Sequence, residues 1–499
     1  MEITRFSAAP TATDAAPSTH QAISADMGIV HLGLGAFHRA HQAVYLERYR
    51  SRTGDLSWGV SAANLRRGVS LVDRLNDAKD RYHVAEYQNS ETVTLREVGV
   101  IEEALFTGQG SDHAWGRDLD ILLARLSAPN TRIVTLTVTE KGYFLNPSSG
   151  ELLQNDPMIQ ADINHPSFPR TAPGILVEAL KRRRAAGLNA FTVLCCDNMP
   201  NNGRRTRHAV IQLACIQDAA LADWIAHHVA FPSSMVDRIV PAMTDQDFAA
   251  LKRLGLDDPN AVVCETFSQW VVEDDFPMGR PSWEVEGVTM VSDVAPFETM
   301  KLRMLNGSHS LLAYLGALAD IDTVFDAVSR EPFRRLLRRY MGYEVTPTLV
   351  MPDEVDLNAY AASLLARFAN DSLRHRLHQI AMDGSQKLPQ RWLQVAEANL
   401  ASGHSTACVA LGLAGWIRYT AGTTLSGQMF KVDDPLSETF ASIHQANKDD
   451  GALIDAFFAL EAVVPRSIAQ HQGFKHQVCD AYRTLTEHGI EQALANLEW

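Results

Sequence analysis

Lys301, Asn306 and His309 fall in one stretch, ETMKLRMLNGSHSLLAYLGALA, whose apolar positions recur at helical spacing. At about 100° per residue these three and Glu298 share an arc of roughly 140° on a helix face. One site can therefore use all four. A lysine whose pKa is lowered by burial and nearby positive charge can give or take a proton near neutral pH. An amide and an imidazole can polarise a carbonyl as charge develops on its oxygen. Such a set would move a proton while a carbonyl is reduced or an alcohol oxidised. A solvated Lys/Glu face with a hydrogen-bonded histidine carries the same pattern. Against it, Asn-Gly-Ser-His is a poor exposed helix interior, where glycine costs about 1 kcal/mol.

A second group lies far upstream. Residues 28–35, GIVHLGLG, begin as an apolar run and end in a glycine turn, after which FHRAHQAVYLERYRSR has helical spacing. A turn of this kind, between a first strand and its helix, is where a dinucleotide pyrophosphate rests on free backbone N–H groups. Gly33 permits the tight turn and Gly35 a close backbone approach, while His38 replaces the third glycine of the usual pattern. The ribose carboxylate expected 20 to 30 residues on is absent. The second strand, WGVSAANLRRG, ends instead in Asn64, Arg66 and Arg67, so on these residues NAD and NADP both stay open.

Further β-rich runs occur at residues 58–62, 133–139, 191–196 and 262–264, with helix-like stretches at 118–126 and 174–186. Strands apolar on both faces alternating with helices predict a doubly wound, mainly parallel α/β domain of Rossmann type over residues 26–287. From Pro296 the texture is helical, through PFRRLLRRYMGYEV, AYAASLLARFA, SLRHRLHQIAM, PQRWLQVAEANLAS and STACVALGLAGWIRYTA. Residues 288–499 are therefore expected to form a mainly α-helical domain, with a boundary near 287. Residues 1–25, rich in Ala, Ser, Thr and Pro, read as a flexible leader.

The 499 residues exceed what one core usually supports, which fits two domains. A net charge of −14 argues against binding nucleic acid or a membrane surface. A local basic stretch, Arg374, Arg376, Lys387 and Arg391, can still hold one small anion. Six cysteines without CxxC spacing, and no HExxH among eighteen histidines, give no metal site. No apolar run is long enough to span a membrane, and no Tyr is followed four positions later by Lys, as the short-chain dehydrogenases need. A cytoplasmic protein with reduced thiols and a small-molecule substrate is the expectation, with a monomer the default state.

The K-x4-N-x2-H pattern of Lys301, Asn306 and His309, together with the GxGxFHRAH turn of residues 33–41, resembles the polyol-specific long-chain dehydrogenases and reductases, the mannitol dehydrogenase family. The likeness continues through TVTEKGY, CDN, FPSSMVDRIVP, CETFSQWVVEDDF and DGSQKLPQR. SLRHR, IAMDGSQKLPQR and MKLRMLNGSHS are similar to the fructuronate-reducing branch. The resemblance implies a Rossmann-type domain that binds NAD(H), a helical domain supplying a catalytic lysine, and no metal. It makes Lys301 the acid/base, Asn306 and His309 the polarising pair, and Glu298 the link to solvent. It assigns Gly33, Gly35, Ala36, Phe37, Arg39 and Asn64 to the cofactor. Asn198 and Asp237, and from the basic stretch Lys387 and Arg391, go to the substrate. Two departures stand out: mannitol-oxidising members have an arginine where this chain has Gln379, and the mannitol branch has an aspartate just beyond the position of Asn64.

Overall fold

Val30 and Leu32 point into one hydrophobic core and Ile29 into another, on opposite faces of a strand that is buried along its whole length. That two-sided burial is what a parallel sheet covered by helices requires. In the computed structural model, which describes residues 2–7, 27–79, 81–110, 114–146, 149–372 and 374–497, the chain forms two compact units, Met1–Ala295 and Pro296–Trp499.

Among the described residues, twelve strands, numbered in chain order, lie in the first unit. β2 (Ile29–Leu32), β3 (Val60–Asn64), β6 (Ile101–Phe106), β7 (Ile133–Leu136) and β8 (Thr192–Cys195) make a five-stranded, all-parallel sheet in the order β6-β3-β2-β7-β8. Helices Leu119–Leu126, Ala172–Ala185 and Asn202–Gln217 pack on one face, and Gln42–Thr53 on the other. The expected doubly wound α/β fold is present, and β2 is its switch point: the chain continues to one side of it through β3 and to the other through β7.

The fifth expected strand, β10 (Val262–Glu265), lies outside this sheet. It pairs with β4 (Tyr82–Asn89) in a second sheet, ordered β1-β5-β4-β10, where β4 and β5 (Thr92–Val98) form an antiparallel hairpin. A third sheet, β12-β11-β9, joins β9 (Ser234–Asp237), β11 (Gln269–Glu273) and β12 (Thr289–Val291). β1 (Glu2–Phe6), read from the sequence as part of a loose leader, is an exposed edge strand in register with β5; the remainder of that leader, 8–26, lies outside the described residues.

In the second unit, helices Gly307–Leu318 and Ala407–Tyr419 are buried almost all round and pack against each other. The helical expectation holds with one correction. Among its described residues SLRHRLHQIAM contains only the short helix Leu377–Ile380, because Arg376 bridges Thr323 in extended conformation and the His375 carbonyl accepts the Val324 N–H. Three segments wind more widely than an α-helix, as π-helices: Lys301–Asn306, Tyr340–Val345 and Pro389–Leu393. Among the described residues no group of His, Cys, Asp or Glu is arranged to hold a metal, and no helix is long and apolar enough to cross a membrane. All six cysteines are free thiols, four of them buried.

Candidate active site

The glycine turn leaves the C-terminal end of β2, at the switch point. Gly33 has φ +104°, and a Cβ there would collide with the Thr137 carbonyl oxygen, so only glycine fits. Gly35 is different. It is exposed, has φ −102°, and a Cβ on it would meet nothing nearer than the Gly33 carbonyl at 3.8 Å. No internal packing demands glycine there. The free space lies in front of the helix Ala36–Ala40, whose first-turn amides, Ala36 and Phe37 among them, have no partner within that helix. The turn thus fits a bound pyrophosphate.

The frame of this turn was not legible in the sequence. The Thr137 hydroxyl donates to the Gly33 carbonyl (2.8 Å), and His31 Nε2 lies 3.0 Å from both. His31 Nδ1 is 2.8 Å from the Thr135 hydroxyl, and the His38 ring stacks on His31 at 3.4 Å. Burial pushes the His31 imidazole down to about 3, so it is neutral and donates from one nitrogen only. His38 therefore serves as packing where the usual pattern has glycine. Arg39, expected to face the cofactor, is turned inward: its guanidinium donates to the Asn260 carbonyl and sits 5.5 Å over the Tyr82 ring. Asn64 ends β3 and packs against the Gly68 turn, followed by exposed Arg66 and Arg67.

Asn198 is exposed just beyond the C-terminal end of β8, and Asp237 is buried at the end of β9. Arg238 pairs with Glu86 (2.7 Å). Beside Asn198, the Asp197 carboxylate latches the loop after β7: it accepts from the Val138 and Thr139 N–H groups (3.0 and 2.9 Å) and the Tyr143 hydroxyl (2.6 Å). Thr139 is held at φ +67°. Asn202 ties the end of β8 to β9, donating to the Asp197 and Ser234 carbonyls.

In the second unit, Glu298 lies in the helix Ala295–Met300, and Lys301 and Asn306 are the first and last residues of the π-helix. The Gly307 N–H donates to the Leu302 carbonyl, five residues back. An α-helix would set residues five apart at about 140° to each other. An i→i+5 turn brings them round to one side, so the sequence reading underestimated how closely Lys301 and Asn306 align. Lys301 is buried, at 8% exposure. His309 follows on the first turn of the next helix, its ring 4.7 Å from Phe368 and 6.0 Å from His375. Burial, with the charges of His375, Arg367, Arg391 and Lys301 around it, holds its imidazole well below the usual range, leaving it a neutral donor and acceptor.

Lys387 and Arg391 are engaged differently. Arg391 Nη1 donates to the Asn306 carbonyl (3.3 Å) and the Ser310 hydroxyl (2.9 Å), which binds it to the helix itself. Lys387 Nζ donates to the Met382 carbonyl, and its charge is felt at His375. Burial and the Arg391 guanidinium push its ammonium down.

A doubly wound sheet with an anion-ready turn at its switch point, and a helical unit that buries a lysine beside an amide and a neutral imidazole, define a two-part Rossmann-type oxidoreductase. Family descriptions match both parts: the mannitol dehydrogenase Rossmann domain over residues 27–285 and the mannitol dehydrogenase C-terminal domain over residues 293–486. The chain belongs to the mannitol dehydrogenase family. It is 45% identical to D-mannonate oxidoreductase of Escherichia coli (strain K12) over 472 residues, 94% of this chain and 95% of that one. It is 36% identical to mannitol 2-dehydrogenase of Pyricularia oryzae over 471 residues, 93% and 91% of the two chains. Among solved structures, Pseudomonas fluorescens mannitol 2-dehydrogenase in ternary complex with NAD and D-mannitol superposes with a TM-score of 0.80 at 35% identity, covering 99% of this chain and 96% of that one.

Proposed function

We propose that this chain interconverts D-fructuronate and D-mannonate with NAD(H), using Lys301 as general acid in reduction and general base in oxidation. The observation that carries the substrate is the set of cations around His309, which feels Lys301, Arg367 and Arg391, with Lys387 acting on the neighbouring His375. A ketose or polyol offers nothing ionic to this basic surround, whereas a uronate brings a carboxylate. The 45% identity to D-mannonate oxidoreductase supports the same reading. Lys387 and Arg391 are the residues we assign to the carboxylate, since each keeps N–H donors beyond those given to the Met382 carbonyl and to the Asn306 carbonyl and Ser310.

The cofactor would rest on Gly33, Gly35, the amides of Ala36 and Phe37, and Asn64, and when bound it donates or accepts the hydride. In reduction the Lys301 ammonium gives its proton to the carbonyl oxygen as that oxygen becomes an alkoxide, while Asn306 and neutral His309 hydrogen-bond to it. In oxidation the neutral lysine takes the hydroxyl proton. Glu298, one turn earlier on the helix, would pass that proton to solvent, and Asn198 and Asp237 would position the sugar hydroxyls. NAD is assigned because the related Pseudomonas fluorescens structure holds it. Exposed Arg66 and Arg67 at the end of β3 favour NADP as the second reading.

A panel of purified D-fructuronate, D-fructose and other ketoses with NADH and NADPH tests the assignment. Fructuronate with NADH should turn over fastest; faster reduction of fructose would overturn the substrate. Lys301→Ala should lower kcat by about 10²–10⁴-fold, and normal turnover in that variant would overturn the acid/base role.

A further inference from the structure

The main-chain carbonyls of the turn that carries Lys301 and Asn306 are served by side chains. The Arg303 carbonyl accepts from the Tyr340 hydroxyl (2.9 Å), the Asn306 carbonyl from Arg391 (3.3 Å) and the Gly307 carbonyl from Trp392 Nε1 (3.1 Å). Those three donors come from the other two π-helices: Tyr340 begins Tyr340–Val345, and Arg391 and Trp392 belong to Pro389–Leu393. The Tyr340 oxygen also lies 3.3 Å from the Arg391 carbonyl, so one fully buried hydroxyl touches the backbone of both other wide turns. Its own segment is fixed in place by Glu344, a buried carboxylate that accepts the Cys408 and Val409 N–H groups at the start of the helix Ala407–Tyr419 (2.7 and 3.0 Å).

Gly307 shows how close this contact is. A Cβ there would collide with the Tyr340 oxygen, which gives the glycine of the Asn-Gly-Ser-His segment a packing reason. A wide turn is rare and does not persist on its own preference, because its carbonyls are displaced from the amides an α-helix would offer them. Something must hold it.

We infer that Tyr340 is a positioning residue: its hydroxyl, together with Arg391 and Trp392, holds the 301–306 segment in the five-residue register that aligns Lys301 with Asn306. This rests on the acid/base reading of Lys301 given above. Without the hydroxyl, the Arg303 carbonyl loses its donor and the segment can rewind towards an α-helix, which carries the lysine away from the amide around the helix axis.

Tyr340→Phe removes only the hydroxyl, and the measurement compares wild type, Tyr340→Phe, Lys301→Ala and the double variant on the sugar carbonyl that turns over fastest with NADH. Tyr340→Phe should lower kcat at least about tenfold with the KM for NADH unchanged, and shift the pH profile of kcat. It should cause no further loss in the Lys301→Ala background. Amide hydrogen exchange should quicken in 301–307 and stay unchanged in the helix Ala407–Tyr419. Gly307→Ala, which displaces the same hydroxyl from the other side, should give a comparable loss that does not add to that of Tyr340→Phe. Inactive Lys301→Ala beside Tyr340→Phe with kcat within twofold of wild type and an unmoved pH profile would overturn the inference alone. Normal turnover by Lys301→Ala would overturn the acid/base reading and the inference with it.

Discussion

Two glycines two residues apart do different work. Gly33 is glycine because the fold leaves no alternative: its backbone is left-handed and its Cβ position is occupied by the Thr137 carbonyl. Gly35 is glycine although the fold would accept a methyl group, since the nearest atom to its Cβ lies at 3.8 Å. The pair separates stability from binding. Gly33→Ala should destabilise the protein by at least about 3 kcal/mol, read as a lower urea midpoint. Gly35→Ala should stay within about 0.5 kcal/mol of wild type yet weaken NADH binding about tenfold or more, some 1.4 kcal/mol, in a fluorescence titration. Unchanged NADH affinity in Gly35→Ala would remove that residue from the cofactor site.

Elements reveal how far a sequence can be read. β2, β3, β7 and β8 are short, apolar on both faces and bounded by breakers, so their burial is written in composition. β4 and β5 are long but half-exposed, and their polar positions conceal the strand period. The helix that carries Lys301 was legible as a polar face on an apolar segment, but its wide turn was not, because the side chains that donate to its carbonyls, Tyr340 and Arg391, lie 37 and 85 residues from them. Asp197 is the same case in the first unit: nothing near it in sequence announces that its carboxylate collects two amides and a phenol from the loop after β7. Asp197→Ala should cost roughly 3 kcal/mol, because buried donors lose their acceptor, and should speed hydrogen exchange across 138–143. Unaltered exchange there would show that the strained loop holds its shape without the latch.

At the scale of the whole molecule, buried histidines set the response to acid. Burial holds His31, His38 and His309 below the ordinary value of 6.5, and shifts His375 and His444 the same way. Unfolded, these imidazoles take up protons near 6.5; folded, they do so only at lower pH. Below 6.5 the unfolded chain therefore binds more protons, and stability falls with pH. At about pH 5.5 each strongly shifted histidine costs roughly 1 kcal/mol relative to neutrality. The buried carboxyls of Asp162, Asp197 and Glu344, pushed up by burial, act in the opposite sense. Thermal unfolding should show Tm dropping between about pH 7 and 5.5, before most carboxylates titrate, and a flat Tm over that interval would contradict neutral burial of the three imidazoles.

The place of β2 at the switch point also has a consequence in time. Its two neighbours differ in reach: β3 follows within about thirty residues, but the Thr137 that frames Gly33, just past β7, comes 104 residues after it. A chain emerging from the ribosome N-terminus first thus exposes the glycine turn long before it can be completed. The glycine turn thus follows a strand that can pair early with β3, yet during synthesis it waits unframed until residue 137 has emerged.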